Sequence, residues 1–173
     1  VLVLVAQSVA LAVHTHMAAA PQREQCGALI GYDVPHGIRI IAFCPLDNVA
    51  ESPENTFFIN QTDIFSLQRT LRQLNGARRQ DSLRMVGHVH SHPNSPNIPS
   101  ETDRAFMADA LTSGVQIGAQ IWGIVAVMQG KMGISTTARY YRPALGHDGQ
   151  LCVADLDYRV CVFGDDLPIF LKA

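Results

Sequence analysis

A chain of 173 residues with a formal net charge of −2 and 47% hydrophobic residues has the size of one domain and enough apolar side chains to form a core without staples. That composition excludes a disordered chain, and the small net charge offers no electrostatic footprint for nucleic acid. The four cysteines, Cys26, Cys44, Cys152 and Cys161, form no C-x-x-C pair, which excludes a zinc ribbon or thioredoxin motif and reads as reduced thiols of a cytoplasmic protein.

The opening stretch "VLVLVAQSVALAVHTHMAAAP" has no Lys or Arg before Arg23, and Gln7 and Ser8 interrupt its apolar run. A secretory signal needs a basic start, and a membrane span needs about 20 continuous apolar residues. The segment reads instead as a strand over 1–5 followed by a helix opening near Ser8. The absence of an initiator Met points to a processed or trimmed start.

"CGALIGYDV" and "IRIIAFCPL" flank a turn at "PHG" and predict a buried hairpin. "TFFIN" predicts a short strand. In "DIFSLQRTLRQLNG", Ile64, Leu67, Leu71 and Leu74 share one helical face, with Thr62 or Asp63 to cap the start and Gly76 the end. Five arginines lie between Arg69 and Arg84 and read as a solvated face rather than a docking patch. "LRMVGHVH" alternates as a strand. "SETDRAFMADALTSG" predicts a helix from Ser100 to Gly114 with Phe106, Met107, Ala110 and Leu111 as its stripe. "IWGIVAVM" and "ISTTARYYR" predict a second hairpin, and after a turn at "GHDGQ" one further strand is expected in "LCVADLDYRVCVF". The sum is an α/β fold: a single domain with a mixed central β-sheet flanked by helices.

The chemistry concentrates in "HVHSHPNSPNIPSETD", residues 88–103. Alternate residues of a strand share a face, so His88, His90 and His92 can project together. Two imidazoles on rigid backbone suit a divalent metal, Pro93 can end the strand, and a helix after Pro99 brings the Asp103 carboxylate back. Taken alone, Ser100 and Asp103 are more often a capping box than anything catalytic, with the hydroxyl on a free amide and the carboxylate at the positive helix end. H-x-H by itself is weak: His14 and His16 form the same pattern in an expected helix, where residues two apart diverge. The absence of H-E-x-x-H and P-C-x-x-C excludes helix-borne zinc proteases and nucleobase deaminases, and the chain is too short for an amidohydrolase barrel.

His90, His92, Ser100 and Asp103 stand as H-x-H, seven residues, S, two residues, D. This resembles the JAMM motif of the MPN-domain metalloproteases, and "HSHP" and "PSETD" look like its prokaryotic members. The family also carries a Glu shortly before a strand opening with Cys-Gly, similar to Glu24 in "PQREQCGALIG". Spacing alone leaves Glu24, Glu51, Glu54 and Glu101 open; the resemblance selects Glu24. It covers roughly residues 1–140 and implies the MPN/JAMM fold, similar to cytidine deaminases, with a core over 1–142 and a C-terminal extension over 143–173 packed on the same domain.

The resemblance implies Zn²⁺ held by His90, His92 and Asp103 with water in the fourth position, Glu24 as the proton acceptor and Ser100 as a hydrogen bond to the oxyanion. His88 departs from the aromatic or aliphatic residue usual in the family, and reads as a donor behind the ligands or as an alternative ligand. The implied reaction is hydrolysis of the amide bond after the Gly-Gly tail of a ubiquitin-fold protein, in a stand-alone bacterial member a sulfur carrier protein. No nucleic acid and no membrane is expected as partner, and the oligomeric state stays open. Three other readings compete with this one. A non-catalytic MPN-type scaffold would lack ligands, and none is missing. A relative associated with DNA repair usually has Asn in place of Ser91. A thiol hydrolase built on Cys26 conflicts with its apolar context, where a thiol is inert.

Overall fold

The computed structural model describes residues 1–76, 82–113 and 121–163. Strand β1 (Leu2–Ala6) runs straight into helix α1 (Gln7–Ala18), followed by β2 (Cys26–Val34), β3 (Gly37–Leu46) and α2 (Gln61–Gly76). Then come β4 (Arg84–Pro93), α3 (Glu101–Thr112), β5 (Ile121–Gly130), β6 (Gly133–Leu145), β7 (Leu151–Leu156) and β8 (Tyr158–Cys161). All eight strands form one mixed sheet in the order β7-β6-β5-β4-β2-β3-β1-β8. The pairs β1–β3, β1–β8 and β4–β5 are parallel, and the rest are antiparallel.

Side chains of β2 and β5 divide between two cores, as strand alternation requires. On one face α1 lays Val9, Val13 and Met17 over Val5, Leu29, Val89 and Val125. On the other, α2 packs Leu67 and Leu71 on Ala28, Ile30 and Met85, while α3 packs Met107 on Trp122, Ile124 and Tyr141. Asp157 alone separates β7 from β8, yet these strands are the two edges of the sheet. The sheet therefore curls until its edges meet, and the Asp157 carbonyl accepts from the Val3 amide at 2.9 Å.

The first helix opens at Gln7, next to the expected Ser8, with Ala6 at its N-cap and no side-chain cap. Several other expectations need correction. "TFFIN" makes only a single bridge, Ile59 to Asn48, and its Phe57 packs on the His90 ring. The cap of α2 is Asn60, whose Oδ1 accepts from the Thr62 amide at 3.0 Å, and Gly76 is the last helical residue rather than the cap. Phe106 and Leu111 are exposed, and only Asp103 and Met107 of α3 are buried. The tail contributes two strands rather than one, on opposite edges. Gly114, Arg78 and Arg79 lie outside the described residues. No helix among the described residues is long and apolar enough to cross a membrane.

Candidate metal centre

Strand β4 is flanked by β2 and β5 at the level of the histidines, where His90 pairs with Cys26 and with Ile124. This places His88, His90 and His92 on rigid backbone, all three buried. Pro93 is the last residue of the strand. Asn94 then takes a left-handed φ of 49°, tolerable for Asn, and Gln129 donates its amide to the Asn94 side chain at 3.0 Å. The Tyr141 hydroxyl donates to the Asn97 carbonyl at 2.7 Å, so the loop returns in a held shape to α3.

Helix α3 opens with the full capping box: the Asp103 amide donates to Ser100 Oγ at 3.1 Å, and the Ser100 amide to Asp103 Oδ2 at 2.7 Å. The Ser100 hydroxyl also donates to Oδ2 at 2.7 Å. The cap and the metal-ligand readings of Asp103 are thus compatible, because the box turns the carboxylate toward the histidines. His90 Nε2 lies 3.0 Å from Asp103 Oδ1, His92 Nε2 lies 3.2 Å from Oδ2, and the two Nε2 atoms are 3.0 Å apart.

Among the described residues these three form the one group of His, Cys, Asp and Glu side chains whose ligand atoms converge closely enough to hold a metal. The donor set fits zinc. Ligand atoms at about 2.0–2.2 Å from a tetrahedral ion stand roughly 3.3 Å apart, close to the spacings found here. The His92 ring is oriented by a 2.9 Å bond from Nδ1 to the Pro96 carbonyl, which leaves Nε2 as the ligand atom. His90 is held by stacking instead: Phe57 lies over it at 4.3 Å between centroids and 22° between planes. Its Nδ1 has no hydrogen-bond partner among the described residues.

The electrostatics fit a cation too. Burial pushes the Asp103 carboxyl up, but hydrogen bonds from His90, His92 and Ser100 outweigh it and hold the group well below the usual range. Burial lowers His90. For His92 burial also acts downward, but the bonds to Asp103 and Pro96 and the nearby carboxylates prevail, and its pKa is raised. The ionised carboxylate is thus compensated by a readily protonated imidazole, the charge arrangement a metal replaces on binding.

Glu24 lies just before β2 and is buried. With His92, Pro93, Pro96, Ile98, Pro99 and Ser100 it lines one cleft of about 400 Å³. Burial pushes its carboxyl up to about 7, against the pull of His92 and with the repulsion of Asp103. Ser91, between His90 and His92, ties this segment to β4: its Oγ accepts from the Gln25 amide, and its own amide donates to the Gln25 carbonyl, both at 2.9 Å.

His88 stands outside the ligand cluster. Its ring sits between Phe57 at 5.6 Å and the edge of Trp122 at 3.9 Å, its Nε2 has no partner among the described residues, and burial pushes its pKa down to about 3. Glu54 lines the same cleft but is exposed, as are Glu51 and Glu101. The comparison pair His14 and His16 bonds elsewhere, to the Thr136 hydroxyl and the Cys26 carbonyl. Sequence reasoning missed Phe57, Pro96 and Asn48; the first lay in the pattern taken for a strand, and the other two act through contacts that no periodicity signals.

A family profile described as prokaryotic homologues of the JAB domain matches residues 6–139, which include Glu24 and every residue of the cluster. The chain belongs to this family. The solution structure of protein DSY2949 from Desulfitobacterium hafniense superposes on this JAB-domain protein with a TM-score of 0.67, covering 94% of this chain and 95% of that one. At 18% identity that likeness is one of fold. No curated protein matches the JAB-domain chain by sequence.

Proposed function

We propose that this JAB-domain protein is a cytoplasmic zinc-dependent peptidase that hydrolyses the amide bond after the C-terminal Gly-Gly of a ubiquitin-fold protein, a bacterial sulfur carrier protein first among these. The observation that carries the reading is the convergence of His90 Nε2, His92 Nε2 and the Asp103 carboxylate beside a cleft that also receives Glu24. Zinc in such a three-ligand site supplies an acidified water and a Lewis acid toward the scissile carbonyl. Glu24 accepts the proton of the attacking water and delivers it to the leaving amine, as a buried carboxylate facing the site can. Ser100 lines the same cleft, where its hydroxyl would hydrogen-bond the oxyanion.

The substrate class rests on family analogy and on the shape of the cleft. Pro93, Pro96 and Pro99 line it with rigid rings, a wall along which an extended tail could lie. Cys26 and Cys44 are buried as thiols, which agrees with a reducing compartment.

The test is cleavage of a ubiquitin-fold carrier extended beyond Gly-Gly. The native chain turns it over, chelation abolishes turnover, added zinc restores it, and Glu24→Gln abolishes it with zinc still bound. Full turnover by that variant would remove Glu24 from its role. No cleavage by the zinc-loaded native chain would reject the substrate class.

A further inference from the structure

The side-chain amide of Asn48 uses its whole hydrogen-bonding capacity. Nδ2 donates to the Glu24 carbonyl at 2.8 Å and to the Thr56 carbonyl at 2.9 Å. Oδ1 accepts from the amides of Ala50 and Phe58, both at 3.0 Å. A carboxamide has two N–H groups and two lone pairs, so nothing is left over. The same residue bridges Ile59 through its backbone, and the Val49 amide donates to the Phe58 carbonyl at 2.9 Å. Residues 49–58 thus form a loop closed at its base by Asn48.

Glu24 belongs to no strand or helix, so no ladder fixes its backbone. The loop does so instead, from both sides. The Glu24 amide donates to the Pro53 carbonyl at 2.6 Å, and its carbonyl takes the Asn48 bond. The loop also presents Glu54 and Asn55 to the cleft, and Phe57 to the face of His90. The bond to Ala50 is ordinary turn chemistry, a side-chain oxygen on the amide two residues ahead. The bond to Glu24 spans 24 residues and lies outside what a turn needs.

We infer that Asn48 is a positioning residue, which sets Glu24 at the metal cluster by locking the 49–58 loop around its backbone. The inference rests on the reading of Glu24 as proton acceptor. Asn48→Asp separates the two jobs of the amide. It keeps the shape and both accepted bonds, but sets an oxygen against the carbonyls of Glu24 and Thr56. Asn48→Ala removes all four bonds without adding charge.

The experiment follows residue-level amide exchange by NMR, zinc content and steady-state cleavage of the extended carrier, in the full chain with zinc. In both variants the Glu24 amide exchanges about tenfold faster or more, while Val89 and His90 in β4 stay near native rates and zinc remains bound. Turnover falls about ten- to a hundredfold with KM within about twofold of native, because the base is displaced while the substrate is still held. Native exchange at Glu24 in both variants would overturn the inference, as would acceleration spread evenly over β2 and β4, which marks general destabilisation. Unchanged turnover with Glu24 freed would overturn it too. If the native chain cleaves nothing, the proposed function fails, and exchange at Glu24 alone then decides the role of Asn48.

Discussion

Ser100 shows how one side chain serves two structures. Its hydroxyl caps α3 and holds Asp103 in the same geometry, so Ser100→Ala removes both a cap and an orienting bond. Denaturant unfolding should show a loss of about 1 kcal/mol, the usual cost of an N-cap. Turnover should fall about a hundredfold in fully folded protein if the hydroxyl also serves the oxyanion; a loss confined to stability would leave Ser100 as a cap alone. Cys26 makes the opposite case. Burial, with Asp47 and Glu24 nearby, pushes its thiol up to about 12, so it stays protonated and unreactive at pH 8. Iodoacetamide at that pH should label exposed Cys152 and leave Cys26 intact until the chain is unfolded. The linkage has a definite sign: the unfolded thiol ionises from about 9, so stability falls as pH climbs from there toward 12. Rapid native labelling of Cys26 would revive the thiol reading. His90, His92 and Asp103 were legible because strand alternation and a helix start constrain their spacing within 14 residues of chain. Glu24 was not legible from spacing, since its place depends on the 49–58 loop, which meets it only in the fold, and on Ser91, which bonds the neighbouring Gln25.

At the scale of elements, the approach of β4 to β5 is set by Gly87. A Cβ there would run into the Ile121 carbonyl, in the parallel pair that carries the histidines. Gly87→Ala should cost roughly 1–3 kcal/mol by overpacking and weaken zinc binding without touching a ligand; denaturant titration and a chelator competition check the two effects. Unaltered values in both would mean the strands have slack. Periodicity located most elements here, including both hairpins and β4, because their apolar alternation is undisturbed. It misread α3, where the buried stripe is Asp103 and Met107. A carboxylate occupying an apolar position shifts the apparent stripe onto Phe106 and Leu111. The same displacement of pattern by site chemistry affected "TFFIN", whose Phe57 serves His90 rather than a sheet.

At the scale of the whole molecule, closure of the curled sheet is what local sequence could not disclose. Strands β7 and β8 look like one segment in the chain, but join opposite edges through Asp157. Beside the β1–β8 ladder, Tyr158 of β8 meets Tyr140 of β6 edge to face at 5.0 Å. Tyr158→Ala should cost about 1–2 kcal/mol through lost area and ring geometry, read by denaturant unfolding, with zinc content unchanged because His90, His92 and Asp103 lie on β4 and α3. A loss of zinc would show that closure and site are coupled. The same architecture makes the central claim testable in a single measurement, zinc stoichiometry of the native chain beside His90→Ala and Asp103→Asn. The account predicts one tightly bound zinc in the native chain and loss of that ion in each variant while the fold, followed by circular dichroism, is kept. Equal zinc in all three proteins, or a folded native chain that binds none at saturating metal, would contradict it.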